Sequence, residues 1–372
     1  MSLDARARRA AQAARTSVDQ LWPPPDIDVL VGRRRRRAIV ANTLTLAVIV
    51  AIGLSAWRIL PIGGQEPAAS QLPRHVQAAI RVGQAPGAVL VAEGSVWVAN
   101  RGDGTISRID PATNQVIATI AVEANPTRLT ADSGAVWVAT QQSLQRIDPA
   151  TNQVVHTFPF CIGAGDLLAA DGCLWASLDD GTVRRLDPAD GHQLASIPTA
   201  SKGAALLTSG RGSLWAGSGH LLVAIDLQDA HVTDWISDID AQRSQLLNEG
   251  SPLTGLVLVN GVVWRSSSGP PAGVVRFRLD RFEEVGQVSG MPVVRSDEVL
   301  PGEISGLAAG PTGMFAVSRT TQTLTRLDLS TGQAKAKIRL PGLSHVAAEG
   351  DAVWVTDDAH NTLYRIDPQA SD

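Results

Sequence analysis

Three titratable side chains, Arg128, Asp166 and His345, share one recurring position in this sequence. It lies nine residues before an aromatic marker, or ten in one repeat. Its other occupants are Ala88, Ala205, Gly255 and Gly306. The residue that follows is always apolar (Val89, Leu129, Leu167, Leu206, Leu256, Leu307, Val346), so packing is held constant while the position before it varies. Arg128 and Asp166 fall on neighbouring repeats, where they can pair with each other or grip a ligand. His345 is a base near neutral pH. The last repeat also gathers Asp357, Asp358 and His360. Asp and His in turns commonly organise the backbone, and the same side chains can hold a ligand. The ligand-binding candidates are thus Arg128, Asp166, His345, His360 and Asp357. No catalytic residue, metal set or cofactor site is expected, because no nucleophile elbow, phosphate loop or paired-Cys motif is present. Arg101-Gly102-Asp103 spells an adhesion tripeptide, but Asp-Gly is what a tight hairpin needs, and the tripeptide reading is set aside.

The elements that must position these residues are strands. The markers are Trp97, Trp137, Trp175, Trp215, Trp264, Phe315 and Trp354, each followed by Arg-Ile-Asp-Pro or a relative ending at Asp110, Asp148, Asp187, Asp226, Asp280, Asp328 and Asp367. Spacing near 40 residues with only strand-like segments predicts an all-β, seven-bladed propeller. In the first repeat, Ala88–Val91, Ser95–Ala99, Thr105–Ile109 and Gln115–Ile120 are the four strands, with turns at 101–104 and 110–114. No outer strand follows Thr362–Ile366, and an extra one over 75–82 precedes the first repeat, so the two should pair and close the ring. Two long crossings, Ser237–Pro252 and Ser289–Glu303, would wall one side of the central mouth.

The run Val96-Trp-Val-Ala-Asn100, Gly104-Thr-Ile-Ser-Arg-Ile-Asp110-Pro-Ala-Thr-Asn114 resembles the repeat of YVTN-type β-propellers. The repeat class includes propellers similar to virginiamycin B lyase. That resemblance implies several His and Glu around magnesium with His as base. Here His345 alone among the seven His occupies an inner-strand mouth position, and no Glu does; His220 and His360 fall in hairpin turns on the same face. Most relatives are binding or scaffold modules, so a binding module is the first expectation, a signalling protein the second and a magnesium-dependent lyase the third.

Charge divides the chain of 372 residues, whose formal net charge is −4. Residues 1–37 hold nine Arg against four acids, residues 38–57 hold no charge, and residues 59–372 hold 22 Lys and Arg against 32 Asp and Glu. Twenty apolar residues in a helix span about 30 Å, the thickness of the bilayer hydrocarbon. The segment 38–57 is therefore expected to be a transmembrane helix, between a basic cytoplasmic tail (1–37) and a linker (58–74) leading to the propeller (75–372). The five Arg that precede it, Arg33, Arg34, Arg35, Arg36 and Arg37, keep the N-terminus inside and can bind anionic lipid. This places the propeller outside the cytoplasm of a bacterial cell, facing an unidentified protein or small ligand. The acidic balance argues against nucleic acid. Cys161 and Cys173 fit an oxidising compartment, but the repeat register places them at opposite ends of a strand, too far apart to bond.

Overall fold

The computed structural model describes residues 72–372 except 133, 161–164, 200–202, 220, 238–252, 268–272, 280–302, 351 and 370–372. The described residues are all-β, and their sheets radiate as the blades of a propeller. Sheet 1 contains Pro86–Ala92, Ser95–Asn100, Thr105–Asp110 and Gln115–Ala121, in that order from the axis outward. Sheets 2, 3, 4 and 6 repeat this antiparallel meander around Trp137, Trp175, Trp215 and Phe315. Sheet 7 takes its three sequential strands from Leu343–Glu349, Ala352–Asp357 and Thr362–Ile366. Its fourth is Val76–Arg81, antiparallel to Thr362–Ile366, with Ile80 opposite Leu363. The innermost strands of sheets 7 and 1 lie side by side.

The repeat count predicts seven four-stranded blades, and here the structure corrects it. Six sheets carry four strands, whereas sheet 5 (Leu253–Val259, Val262–Ser267, Gly273–Arg278) carries three among the described residues, leaving six complete blades. A departure is visible in the third strand. Trp264 faces Arg276, as Trp97 faces Arg108 and Trp354 faces Arg365. The Arg-Leu-Asp run that starts at Arg278 is therefore two residues out of the register kept by those repeats. The expected transmembrane helix falls on residues that the structure does not describe. No helix of the described residues is long and apolar enough to cross a membrane, and 38–57 lies outside them.

Faces of adjacent sheets pack on each other, so both sides of each middle strand are apolar. Trp97, Trp137, Trp175, Trp215, Trp264, Phe315 and Trp354 are all buried in these layers. Trp97 also donates its indole N–H to the Ala92 carbonyl at 3.0 Å. Cys173 is buried with a free thiol and accepts the Arg185 Nε–H at 3.1 Å; Cys161 is outside the described residues.

The Arg of the repeated Arg-Ile-Asp-Pro motif has a role the sequence did not suggest. Arg365 lies 5.4 Å from the centre of the Trp354 ring and donates to the Pro111 carbonyl at 2.7 Å and Asn114 Oδ1 at 3.1 Å in sheet 1. Arg108 bridges in the same way from Trp97 to Pro149 and Asn152 of sheet 2. Arg326 reaches the Pro368 carbonyl at 2.9 Å, and in sheet 5 Arg276, two residues before the motif Arg278, takes the same place and reaches the Ser330 carbonyl at 2.5 Å. Each guanidinium thus ties its own Trp or Phe layer to the turn of the next sheet. The turn is held in turn by its Asp. Asp110 accepts the Ala112 N–H and the Thr113 hydroxyl, both at 2.9 Å. These bonds, the Ala112 one first, lower its pKa.

Gly342 marks a tight spot in sheet 7. Its φ is +71° and a Cβ there would sit 1.9 Å from Asp357 Oδ1. Gly342→Ala should cost about 2–4 kcal/mol through strain and clash. Urea denaturation checks this, and an unchanged midpoint would show that the turn tolerates a side chain.

Candidate functional site

One end of the propeller is built from the starts of the innermost strands and the hairpins between second and third strands. Arg128 opens its strand opposite Ala139, and the hairpin that follows Ala139 lies beside it. This end is the mouth.

Arg128 and Asp166 meet there. Arg128 Nε lies 3.2 Å from Asp166 Oδ1, joining sheets 2 and 3. Asp166 Oδ2 also accepts the Leu207 N–H at 3.0 Å, reaching sheet 4. The pair therefore stitches three sheets at the rim, and both side chains remain partly exposed.

His345 sits in a bulge between the Leu343–Asp357 and Val346–Val355 pairings. Its backbone N–H is donated to Thr356 Oγ1 at 3.2 Å, and Thr356 in turn donates to the Gly87 carbonyl of sheet 1 at 3.0 Å. The ring Nδ1 is enclosed and has no hydrogen-bond partner. Burial first, then the charges of Arg128, Arg101 and Arg319, push the imidazole pKa from 6.5 down to about 3. The ring is thus neutral at pH 7. Its unfolded form takes up a proton near pH 6.5, while the folded form does not until about pH 3. Its contribution to stability is complete above pH 6.5 and is lost as pH falls towards 3. His345→Gln should therefore flatten the fall in denaturation midpoint between pH 6.5 and 3. Parallel curves for variant and wild type would contradict a buried neutral ring.

Asp357 and His360 are also together. His360 Nδ1 is 2.8 Å from Asp357 Oδ2, yet the two differ in setting: the Asp357 side chain is 0% exposed and that of His360 60%. Asp357 Oδ1 accepts the Ala359 and His360 N–H groups, both at 3.0 Å, and Oδ2 accepts the Tyr364 hydroxyl at 3.2 Å. Burial, then the Asp357 charge and this bond, raise the Tyr364 pKa to about 12. Through these bonds Asp357 organises the hairpin.

Two Arg absent from the sequence-based candidates complete the mouth. Arg319, from the sheet 6 hairpin, pairs with Asp358 of sheet 7. Arg101, from the sheet 1 hairpin, lies 3.9 Å from the same carboxylate. All three stand four residues after their marker, following Phe315, Trp354 and Trp97. Counting forward from the marker would have found them. The two long crossings and His220 lie outside the described residues, apart from the end residues Ser237 and Glu303 of the crossings.

The arrangement can bind and orient charged groups. Among the described residues the triad of Asp187, Asp190 and His192 could hold a metal ion. It lies in a turn at the end of the propeller opposite the mouth.

These features define the chain as a β-propeller. It is similar in structure to Kuenenia stuttgartiensis hydrazine synthase, with 14% identity, a TM-score of 0.58, and coverage of 77% of this chain and 96% of that one. It is also similar to the Myceliophteria thermophila Cps50 (Swd1) β-propeller domain, with 13% identity, a TM-score of 0.65, and coverage of 78% and 99%. Likeness at such identity concerns the fold alone. No family model matches the chain, and no curated protein matches it.

Proposed function

We propose that the protein is a non-catalytic binding module whose mouth receives a protein or small ligand. The observation that carries this reading is the contrast between the two ends of the propeller. The far end is uniform, with Arg latches and Asp-organised turns repeated from sheet to sheet. The mouth end varies, and there Arg101, Arg128, Asp166, Arg319, His345 and Asp358 cluster. A constant scaffold under a variable rim is the usual construction of a binding surface. The repeat's resemblance to YVTN-type propellers favours the same reading.

The setting follows from charge and hydropathy in the sequence. The apolar segment 38–57 tethers the propeller to a cell membrane, Arg33 to Arg37 lie against lipid on the cytoplasmic side, and the mouth works outside the cytoplasm.

The test uses the full-length chain as cross-linking bait in its own cells, with two variants beside it. Arg128→Ala alters the mouth and Asp190→Ala the opposite end. Capture of a partner that Arg128→Ala loses and Asp190→Ala retains supports the reading. Equal capture by both variants overturns it. Protease added outside intact cells should degrade the propeller; full protection would refute the extracytoplasmic setting.

A further inference from the structure

We propose that the mouth grips a small oxyanion, a carboxylate or a phosphate, through Arg101, Arg128 and Arg319. This rests on the mouth being the binding surface and names the chemical class of its ligand.

The charge count comes first. Three guanidinium groups from sheets 1, 2 and 6 act on the one imidazole of His345. Against them stand Asp166, engaged by Arg128, and Asp358, which serves both Arg319 and Arg101. Asp358 is thus shared by two guanidinium groups, and its contact with Arg101 is the looser one at 3.9 Å.

Unfilled hydrogen-bonding capacity comes second. Arg101 is the least committed of the three, because its nearest carboxylate is 3.9 Å away. Its Nε is enclosed and has no hydrogen-bond partner, and the same holds for His345 Nδ1. Enclosed polar atoms without partners are costly in a folded protein. An oxyanion at the mouth would accept from the Arg101 guanidinium, and from His345 in its Nδ1–H tautomer.

Recognition chemistry comes third. Guanidinium forks match planar and tetrahedral oxyanions and hold them bidentately. A cation would meet the charges of Arg128, Arg101 and Arg319, which add to burial in keeping His345 unprotonated. Nucleic acid would need a broader basic footprint than this.

The test is isothermal titration of the full-length protein at pH 7.5 and constant ionic strength in chloride, with inorganic phosphate in one arm and malonate in the other. Saturable one-site binding is expected in at least one arm, and the tighter arm identifies a phosphoryl or a carboxylate source. Arg101→Gln and Arg319→Gln should each weaken it at least tenfold, while Lys337→Gln on an exposed outer strand should not. In the wild type, the ring 15N signals of His345 should shift with the same saturation curve, which keeps the test decisive should a variant misfold. Absence of saturable binding in both arms overturns the proposal, as does equal weakening by Lys337→Gln. If neither anion binds while partner capture still depends on Arg128, the oxyanion proposal falls and the binding module stands. If an anion binds while capture ignores Arg128, the oxyanion site stands and the partner-binding reading falls.

Discussion

Replacing Trp354 by Ala is expected to lower the unfolding free energy by about 3–5 kcal/mol, the usual range for emptying a large buried aromatic site. Trp354 is 1% exposed and packs with Val96, Val98 and Ile109 of sheet 1 across the last interface of the ring. Its loss opens a cavity and also removes the ring beneath Arg365. Trp235→Ala is the internal comparison. This side chain is 64% exposed on the outer strand of sheet 4, so its removal should change stability by less than about 0.5 kcal/mol. Chemical denaturation of the two variants checks the pair. Similar losses would mean that the marker Trp residues are not what holds the sheets together.

The second large effect concerns Arg365. Arg365→Met keeps a flexible apolar stem over Trp354 but removes both donations to sheet 1, to the Pro111 carbonyl and to Asn114 Oδ1. The expected cost is about 1.5–3 kcal/mol, as for hydrogen bonds made by a charged group and for acceptors left unpaired. Asn114→Ala combined with Arg365→Met gives a double-mutant cycle across the point where the chain's end meets its beginning. A positive coupling energy is expected. Strict additivity would show that this contact is incidental to closure. The Arg should matter more than its surface position suggests, since it serves a ring contact, a turn and a sheet junction together.

Much of this was legible before any coordinates. The marker Trp, the Asp-Gly hairpin and the Asp-Pro-Ala-Thr-Asn turn each carry a local physical instruction, and the four strands of sheet 1 fall where those instructions place them, extended by a residue or two. Sheet 5 shows where repeat counting fails. A count of markers registers Trp264, but the Arg that faces it is Arg276, so the Arg-Leu-Asp run from Arg278 is two residues out of register with the first repeat. The site was half legible. Arg128, Asp166 and His345 stand out because they share one register position that is followed by a constant apolar residue. Arg101 is hidden in a tripeptide that also reads as a hairpin, and Arg319 shows only when the position four after the marker is aligned across repeats. The role of the motif Arg escaped for another reason. Its partner lies in the next sheet, up to 254 residues away in sequence for Arg365 and Pro111, and no local pattern reports such a contact.

The pairing that completes sheet 7 also has a mechanical side. Val76 lies opposite Ile366, at the end remote from the mouth, and Arg81 lies opposite Thr362, beside it. The chain before Val76 therefore departs from the far face. A pull applied at the Val76 end of this strand would run along it. Hydrogen bonds of an antiparallel ladder stand across the strand direction, so such a pull shears them together instead of peeling them one at a time. The join that shuts the ring is thus also oriented to bear load.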